Sequence, residues 1–310
     1  MNDLAGVKDR FVETLEHRRF TEFCDACRDF HYIGLCHGPP GVGKTLSARR
    51  YAQADKTDGS TPAQAMPDGK LEVLQQLDTV LFTVPVTNTP RMIESGILAG
   101  RQLLLNILLE PVLRAEEAVR REERQRWLDH RALLRLHDWS AGPPPGPASF
   151  AAGEELLREC QERRRLISDP TRLVIVDEAD WLRLDSLEAA RAVFDQGGIG
   201  LVLIGMPGME KRLARYPQLY SRIGFVHSFR TLEAPEIRRL LREGWSPPGT
   251  GRLGFEEEAV AAVIRITGGN FRLLNRLLSQ TGRVVRLNHL SSVTPDAVHA
   301  ARENLTLGPE

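Results

Sequence analysis

The chain of 310 residues is short of several things, and each shortage narrows what it can be. It has no net charge, because 41 basic side chains meet 41 acidic ones. A neutral chain is not a globally basic nucleic-acid binder. Contact with DNA or RNA must then come from a local patch or from many copies acting together. It has no unbroken apolar run of about 18 residues, so no membrane span and no membrane partner are expected. The first segment, MNDLAGVKDRFVETLEHRRF, is charged and has no apolar core, so it does not read as a secretory signal. The expected compartment is the cytoplasm. Cysteine is sparse, with only Cys24, Cys27, Cys36 and Cys160. Cys24 and Cys27 form a CxxC, but no second pair completes a zinc site, so small buried thiols are expected. Lysine is scarce too, at five of the 41 basic residues. That makes Lys44, inside a glycine-rich motif, stand out.

What is present suits a globular protein. A composition 42% hydrophobic and 26% charged argues against disorder. Apolar runs at 31–38, 79–86, 172–180 and 199–208 read as strands, the third buried on both faces. Helical patterns separate them, including a long stretch from about Pro90 to Leu136 with mixed charges in its middle. Residues 55–70 read as a loop, and SAGPPPGPAS at 140–149 as a flexible break. Strands alternating with helices predict a parallel sheet with right-handed crossovers. After about Thr231 the pattern is helical only. The expectation is an α/β nucleotide-binding domain over 1–231, with a long helical insertion at about 90–170. A small all-α lid over 232–310 completes it.

The strongest motif is GPPGVGKT, Gly38 to Thr45, between a strand and a helix. It comprises Gly38, Pro39, Pro40, Gly41, Val42, Gly43, Lys44 and Thr45, with Leu46 in the first helical turn. Glycines let backbone N–H groups wrap a phosphate, and the helix start adds its positive end. Lys44 supplies a full charge at the β- and γ-phosphates, and the Thr45 hydroxyl is a Mg²⁺ ligand. The second motif is LVIVDEAD. Its strand delivers Asp177 and Glu178 at the carboxyl end, where ligands bind in such sheets. Asp177 is the candidate Mg²⁺ holder, and Glu178 the residue that orients the attacking water.

In this order the motifs resemble those of AAA+ ATPases, over about residues 8–305. The resemblance implies a P-loop NTPase fold, ATP with Mg²⁺, and hydrolysis. Three further positions follow from it. The end of the fourth strand, where that family carries a polar sensor, has Met206 here. Arg222 in the Ser-Arg pair is the candidate arginine finger, reaching a neighbouring subunit's nucleotide, with Arg215 second. GGNFRLL resembles a second-sensor motif and puts Arg272 over the γ-phosphate.

The run G-M-P-x-x-E-K-R-L-x-x-Y-P-Q-L-Y-S-R is more particular. It is similar to the transposition-regulator ATPases of the TnsC, TniB and Mu transposition protein B type. That resemblance implies a homo-oligomeric ring or filament, assembled with ATP on double-stranded DNA, that recruits a transposase. The alternatives are an AAA+ loader or remodeler, or a signalling scaffold with slow hydrolysis. In the resembled family, DNA-contacting loops lie near the helix after the second strand. Arg91 and Arg101, with Thr87 or Thr89, are the matching candidates. Arg272, Arg276, Arg283 and Arg286 also fall on one helix side, at roughly 0, 40, 20 and −40°. Gly282 could break that helix, and a solvated face is the plainer reading.

Overall fold

The computed structural model describes residues 11–56, 68–136, 151–243, 254–303 and 305. The chain divides into two compact units. One is Met1–Ala54, Leu81–Glu94 and Arg172–Glu310; the other is Asp55–Val80 and Ser95–Thr171.

In chain order the strands of the main sheet are β1 (Ile33–His37), β2 (Thr79–Thr83), β3 (Leu173–Asp177), β4 (Gly200–Gly205) and β5 (Ile223–Ser228). They lie side by side as β2-β3-β4-β1-β5. β1 runs parallel to both β4 and β5, and β3 parallel to β4. The four strands read from sequence are present, each trimmed at its ends by three residues or fewer. Strands β3 and β4 are buried throughout, which is why their sequences are unbroken apolar runs. β5 is an addition. Its residues alternate between half-buried and exposed at the sheet edge, so no apolar run marks it.

The helices are α1 (Leu15–Phe30), α2 (Lys44–Tyr51), α3 (Asp68–Leu74), α4 (Pro90–Leu136), α5 (Ala151–Leu166), α6 (Leu184–Asp195), α7 (Met209–Leu213), α8 (Pro217–Tyr220), α9 (Ala234–Arg242), α10 (Glu257–Thr267), α11 (Phe271–Leu287) and α12 (Pro295–Glu303). α1 begins at Thr14, whose hydroxyl accepts the His17 N–H at 3.1 Å. Its stripe of Phe20, Phe23, Cys24 and Cys27 has helical spacing and packs on Cys36, Ile175, Val202 and Ile204 of the sheet. Burial pushes the Cys27 thiol up to about 12, and those of Cys24 and Cys36 up as well. These are neutral packing groups, and no cluster of His, Cys, Asp and Glu fit to hold a metal occurs among the described residues.

From Leu232 onward the chain has a core of its own, drawn from α9, α10, α11 and α12. α11 runs unbroken through Gly282, so this glycine does not break the helix. The buried face of Leu274, Leu277, Leu278, Thr281 and Val285 outweighs the ~1 kcal/mol that a helical glycine costs.

The second unit contains α3, most of α4, and α5. α4 has 47 residues, a length of about 70 Å. Acid-to-arginine pairs four residues apart line it, at Glu110–Arg114, Glu116–Arg120, Glu117–Arg121 and Glu122–Arg126. One 18-residue window of α4 has a mean hydropathy of 1.3, with 22% of it buried. By length and composition α4 could therefore cross a membrane, an exception to the sequence reading. Arg101 and Glu110 interrupt its apolar run, which is why no unbroken stretch is visible in the sequence. The Pro-rich stretch at 140–149 lies outside the described residues, as does 57–67 of the expected loop.

Candidate nucleotide site

The loop from Gly38 to Gly43 joins the carboxyl end of β1 to the amino end of α2. Two glycines are required by the geometry. A Cβ on Gly38 would come within 2.3 Å of the Phe229 carbonyl oxygen. Gly41 has φ of 81°, and a Cβ there would meet the Asn270 Oδ1 at 2.6 Å. Val42 is buried in the core below, which anchors the loop from beneath. The Lys44 ammonium donates to the carbonyls of Gly38 at 2.6 Å and Pro39 at 2.9 Å, so it lies along the inner rim of its own loop. Partial burial, first, and the nearby Arg272 guanidinium lower its pKa, while Asp177 and Asp180 oppose them. Thr45 and Leu46 are exposed in the first turn of α2.

β3 ends beside this loop with only β4 between it and β1. Asp177 is 2% exposed. Its Oδ1 accepts the Glu178 N–H at 2.9 Å, and its Oδ2 is buried with no hydrogen-bond partner. Burial raises the Asp177 pKa above the ordinary carboxylate value, against the opposing pull of the Thr45 hydroxyl and the Glu178 N–H. A buried carboxylate with a free oxygen and a hydroxyl against it suits a hard divalent cation, so Asp177 and Thr45 fit Mg²⁺.

Glu178 sits exposed at the turn, in the left-handed region with φ 56° and ψ 38°. For a non-glycine residue this is strained backbone, costing about 1–3 kcal/mol. Two bonds hold it: Trp181 N–H to the Glu178 carbonyl at 3.1 Å, and the Trp181 indole Nε1 to Oε2 at 3.1 Å. The sequence reading did not find Trp181, although its place three residues on, in the short helical turn Ala179–Trp181, is a signal. It also missed Asp180. That carboxylate accepts the Met206 N–H at 2.8 and 2.9 Å, tying the end of β3 to the end of β4. The Met206 side chain is apolar and 38% exposed.

The helical domain reaches the phosphate loop through the start of α11. Asn270 caps this helix by accepting the Leu273 N–H at 3.1 Å. Its amide also donates to the Pro40 carbonyl at 2.8 Å, and the Arg272 N–H donates to the Gly41 carbonyl at 2.8 Å. Arg272 is thus brought to the loop, with its side chain exposed. Asn270 is a site residue that sequence reasoning missed, although its place two residues before Arg272 in GGNFRLL is a signal.

Arg222 is elsewhere. Its carbonyl accepts the Ile33 N–H at 3.2 Å, so it stands at the amino end of β1. The phosphate loop leaves the other end, about 16 Å away along five strand residues. Arg222 therefore does not join the phosphate loop of its own chain. Its guanidinium grips Asp195 at the end of α6, at 2.8 and 3.2 Å, and donates to the Gln218 carbonyl at 2.6 Å. Arg215 is exposed in the turn after α7. Among the DNA candidates, Arg101 is committed to Asp169 at 2.7 Å with its side chain only 18% exposed, which removes it from the set. Its partner lies 68 residues further along the chain, which its sequence position could not reveal. Thr89 accepts the Met92 N–H at 3.3 Å, while Thr87 and Arg91 are exposed.

The buried Asp177 makes a prediction. With its folded pKa raised, ionising this carboxyl costs stability as pH climbs above 3.8. Asp177→Asn should raise the melting temperature of the metal-free protein by about 2–4 °C, by an increment that grows with pH over that range. The same change should remove the additional stabilisation by Mg²⁺ with nucleotide. Differential scanning fluorimetry with and without Mg²⁺ checks both signs. An unchanged Mg²⁺ effect contradicts the assignment.

The family described as AAA domain matches residues 28–213, more than half of the chain. The chain belongs to the AAA+ family. The matched region runs from the end of α1 through α7 and contains both motifs. A Staphylococcus aureus protein described as a potential ATP-binding protein is similar to this AAA+ chain, 32% identical over 96% of this chain and 97% of its own length. A Haemophilus influenzae protein, Mu-like prophage FluMu DNA transposition protein B, is 31% identical over 121 residues, covering 36% of this chain and 40% of that one. Among solved structures, Cdc6p of Pyrobaculum aerophilum aligns with a TM-score of 0.54 at 17% identity, over 98% of this chain and 71% of that one. Orc1 of Aeropyrum pernix, solved in complex with DNA, aligns with a TM-score of 0.50 at 17% identity, over 96% and 67%. The RuvB branch migration motor of Thermotoga maritima aligns with a TM-score of 0.50 at 14% identity, over 96% and 71%. At these identities the structures speak for the fold.

Proposed function

We propose that this AAA+ protein hydrolyses ATP and uses the cycle to regulate DNA transposition. In this reading ATP-bound copies assemble as a ring or filament on duplex DNA and recruit a transposase. The observation that carries it is the transposition protein B similarity, joined to a buried Asp177 whose free oxygen lies by the phosphate loop. Each residue then has a task. The loop N–H groups and Lys44 hold the β- and γ-phosphates. Asp177 and Thr45 would hold Mg²⁺, which would supply positive charge against the phosphates in the transition state. Glu178, held by Trp181, orients the attacking water and takes its proton. Arg272 senses the γ-phosphate from the lid. Arg222 acts on the nucleotide of a neighbouring subunit. Cytoplasmic residence is part of the proposal and fits four free, buried cysteines.

A second reading is a loader, remodeler or scaffold with slow turnover, favoured by the apolar Met206 at the end of β4. One experiment separates them. The protein is mixed with ATP, Mg²⁺ and plain duplex DNA, imaged by electron microscopy and assayed for phosphate release. The transposition reading expects rings or filaments on DNA and DNA-stimulated hydrolysis. Neither assembly nor stimulation sinks it.

A further inference from the structure

We infer that the solvent face of α11 is a docking surface for the phosphate backbone of duplex DNA, with Arg276, Arg283 and Arg286 as its contacts. The inference deepens the DNA-binding reading above and rests on it. α11 has 17 residues, four of them arginine and none acidic. That is a local excess of positive charge in a chain that is neutral overall. The three arginines are exposed, and none of them has an ion-pair partner among the described residues. The contrast with α4 is direct, since arginines there sit four residues after a glutamate that neutralises them.

Geometry suits a duplex better than an acidic protein. The helix is continuous through Gly282, so the three side chains share one side, within an arc of about 80°. Arg276 and Arg286 stand about 15 Å apart along the axis, a span over which a duplex presents about nine phosphate charges. Between them the surface offers the half-buried Ser279 and Gln280, and an exposed apolar side chain, Leu287, lies at the end of the face beside Arg286. A protein partner would need an apolar anchor at the centre of the face, whereas this one apolar side chain stands at its end. The first turn of the same helix is fastened to the phosphate loop through Asn270 and Arg272. Rearrangement of that loop around nucleotide would move the arginine face with it, coupling ATP to DNA.

The test uses the full chain with ATP and a fluorescein-labelled duplex, followed by anisotropy between 50 and 200 mM salt. The variant is Arg276→Gln with Arg283→Gln and Arg286→Gln. Each lost phosphate contact flattens the log-log salt slope by about 0.9, so three flatten it by about 2.7. Over this fourfold salt range wild type should then lose affinity about 40-fold more than the variant does. Nucleotide binding by the variant should match wild type. A control with Arg120, Arg121 and Arg126 of α4 changed to Gln should keep the wild-type slope. An unchanged slope in the α11 variant, or an equal flattening in the α4 control, overturns the proposal. So does loss of poly-glutamate binding by the α11 variant with its DNA slope intact, which would assign the face to an acidic protein. Absence of DNA binding by wild type itself would instead remove the DNA reading underneath.

Discussion

Glu178→Gln should lower steady-state ATP hydrolysis about 10²–10⁴-fold while ATP binding stays at the wild-type level. The variant isolates the chemistry because the structure around Glu178 does not need its charge. The strained left-handed backbone is held by the Trp181 N–H and by the Asp177 carboxylate, both of which act on main-chain atoms. The indole Nε1 can donate to the amide oxygen of Gln as it does to Oε2. Melting temperature should therefore move by no more than a degree or two, as for other exposed positions. What is lost is the carboxylate that takes the proton of water. The ATP-bound assembly should accumulate on DNA and persist for the length of the experiment. Single-turnover phosphate release measures the chemical step, and electron microscopy follows the trapped assembly. Phosphate release at the wild-type rate would falsify the role given to Glu178.

Arg222→Ala should lower hydrolysis about 10³–10⁵-fold, the scale of a missing arginine finger, with ATP affinity unchanged. The position of Arg222 makes the prediction specific. It stands at the amino end of β1 and grips Asp195, whereas the phosphate loop leaves the carboxyl end. Any action on nucleotide has to be on a neighbour's. Mixed assemblies of Arg222→Ala and Glu178→Gln chains should accordingly recover activity that neither has alone. With random mixing about one interface in four joins an intact Arg222 to an intact Glu178, so about a quarter of wild-type activity should return. The half-exposed pair with Asp195 contributes only ~0–1 kcal/mol, so unfolding is not an alternative cause. Mixtures as inactive as their parents would exclude action in trans. Arg215→Ala serves as the comparison, and loss of activity there instead would transfer the role.

Several parts of the fold were legible in the sequence because they obey local rules. Central parallel strands must be apolar on both faces, so β3 and β4 announce themselves. The phosphate loop announces itself because its backbone admits no Cβ at Gly38 or Gly41. β5 was hidden because an edge strand needs burial on one face only. The two bonds that set up Glu178 and Met206 were hidden as well. Trp181 and Asp180 are ordinary residues whose partners are chosen by a turn and by the neighbouring strand.

The arginines divide the two levels most clearly. Composition determined that this chain carries no net charge and that its one conspicuous lysine belongs to a phosphate loop. Periodicity determined that four arginines share one side of α11. Only the tertiary structure decided which arginines are free. It turned Arg101 onto Asp169, clamped Arg222 on Asp195, brought the start of α11 to the phosphate loop, and left Arg276, Arg283 and Arg286 open to solvent. The physical reason is range. Motif chemistry and helical phase act within a few residues of sequence, whereas an ion pair forms wherever folding brings opposite charges within about 4 Å, whatever their separation along the chain.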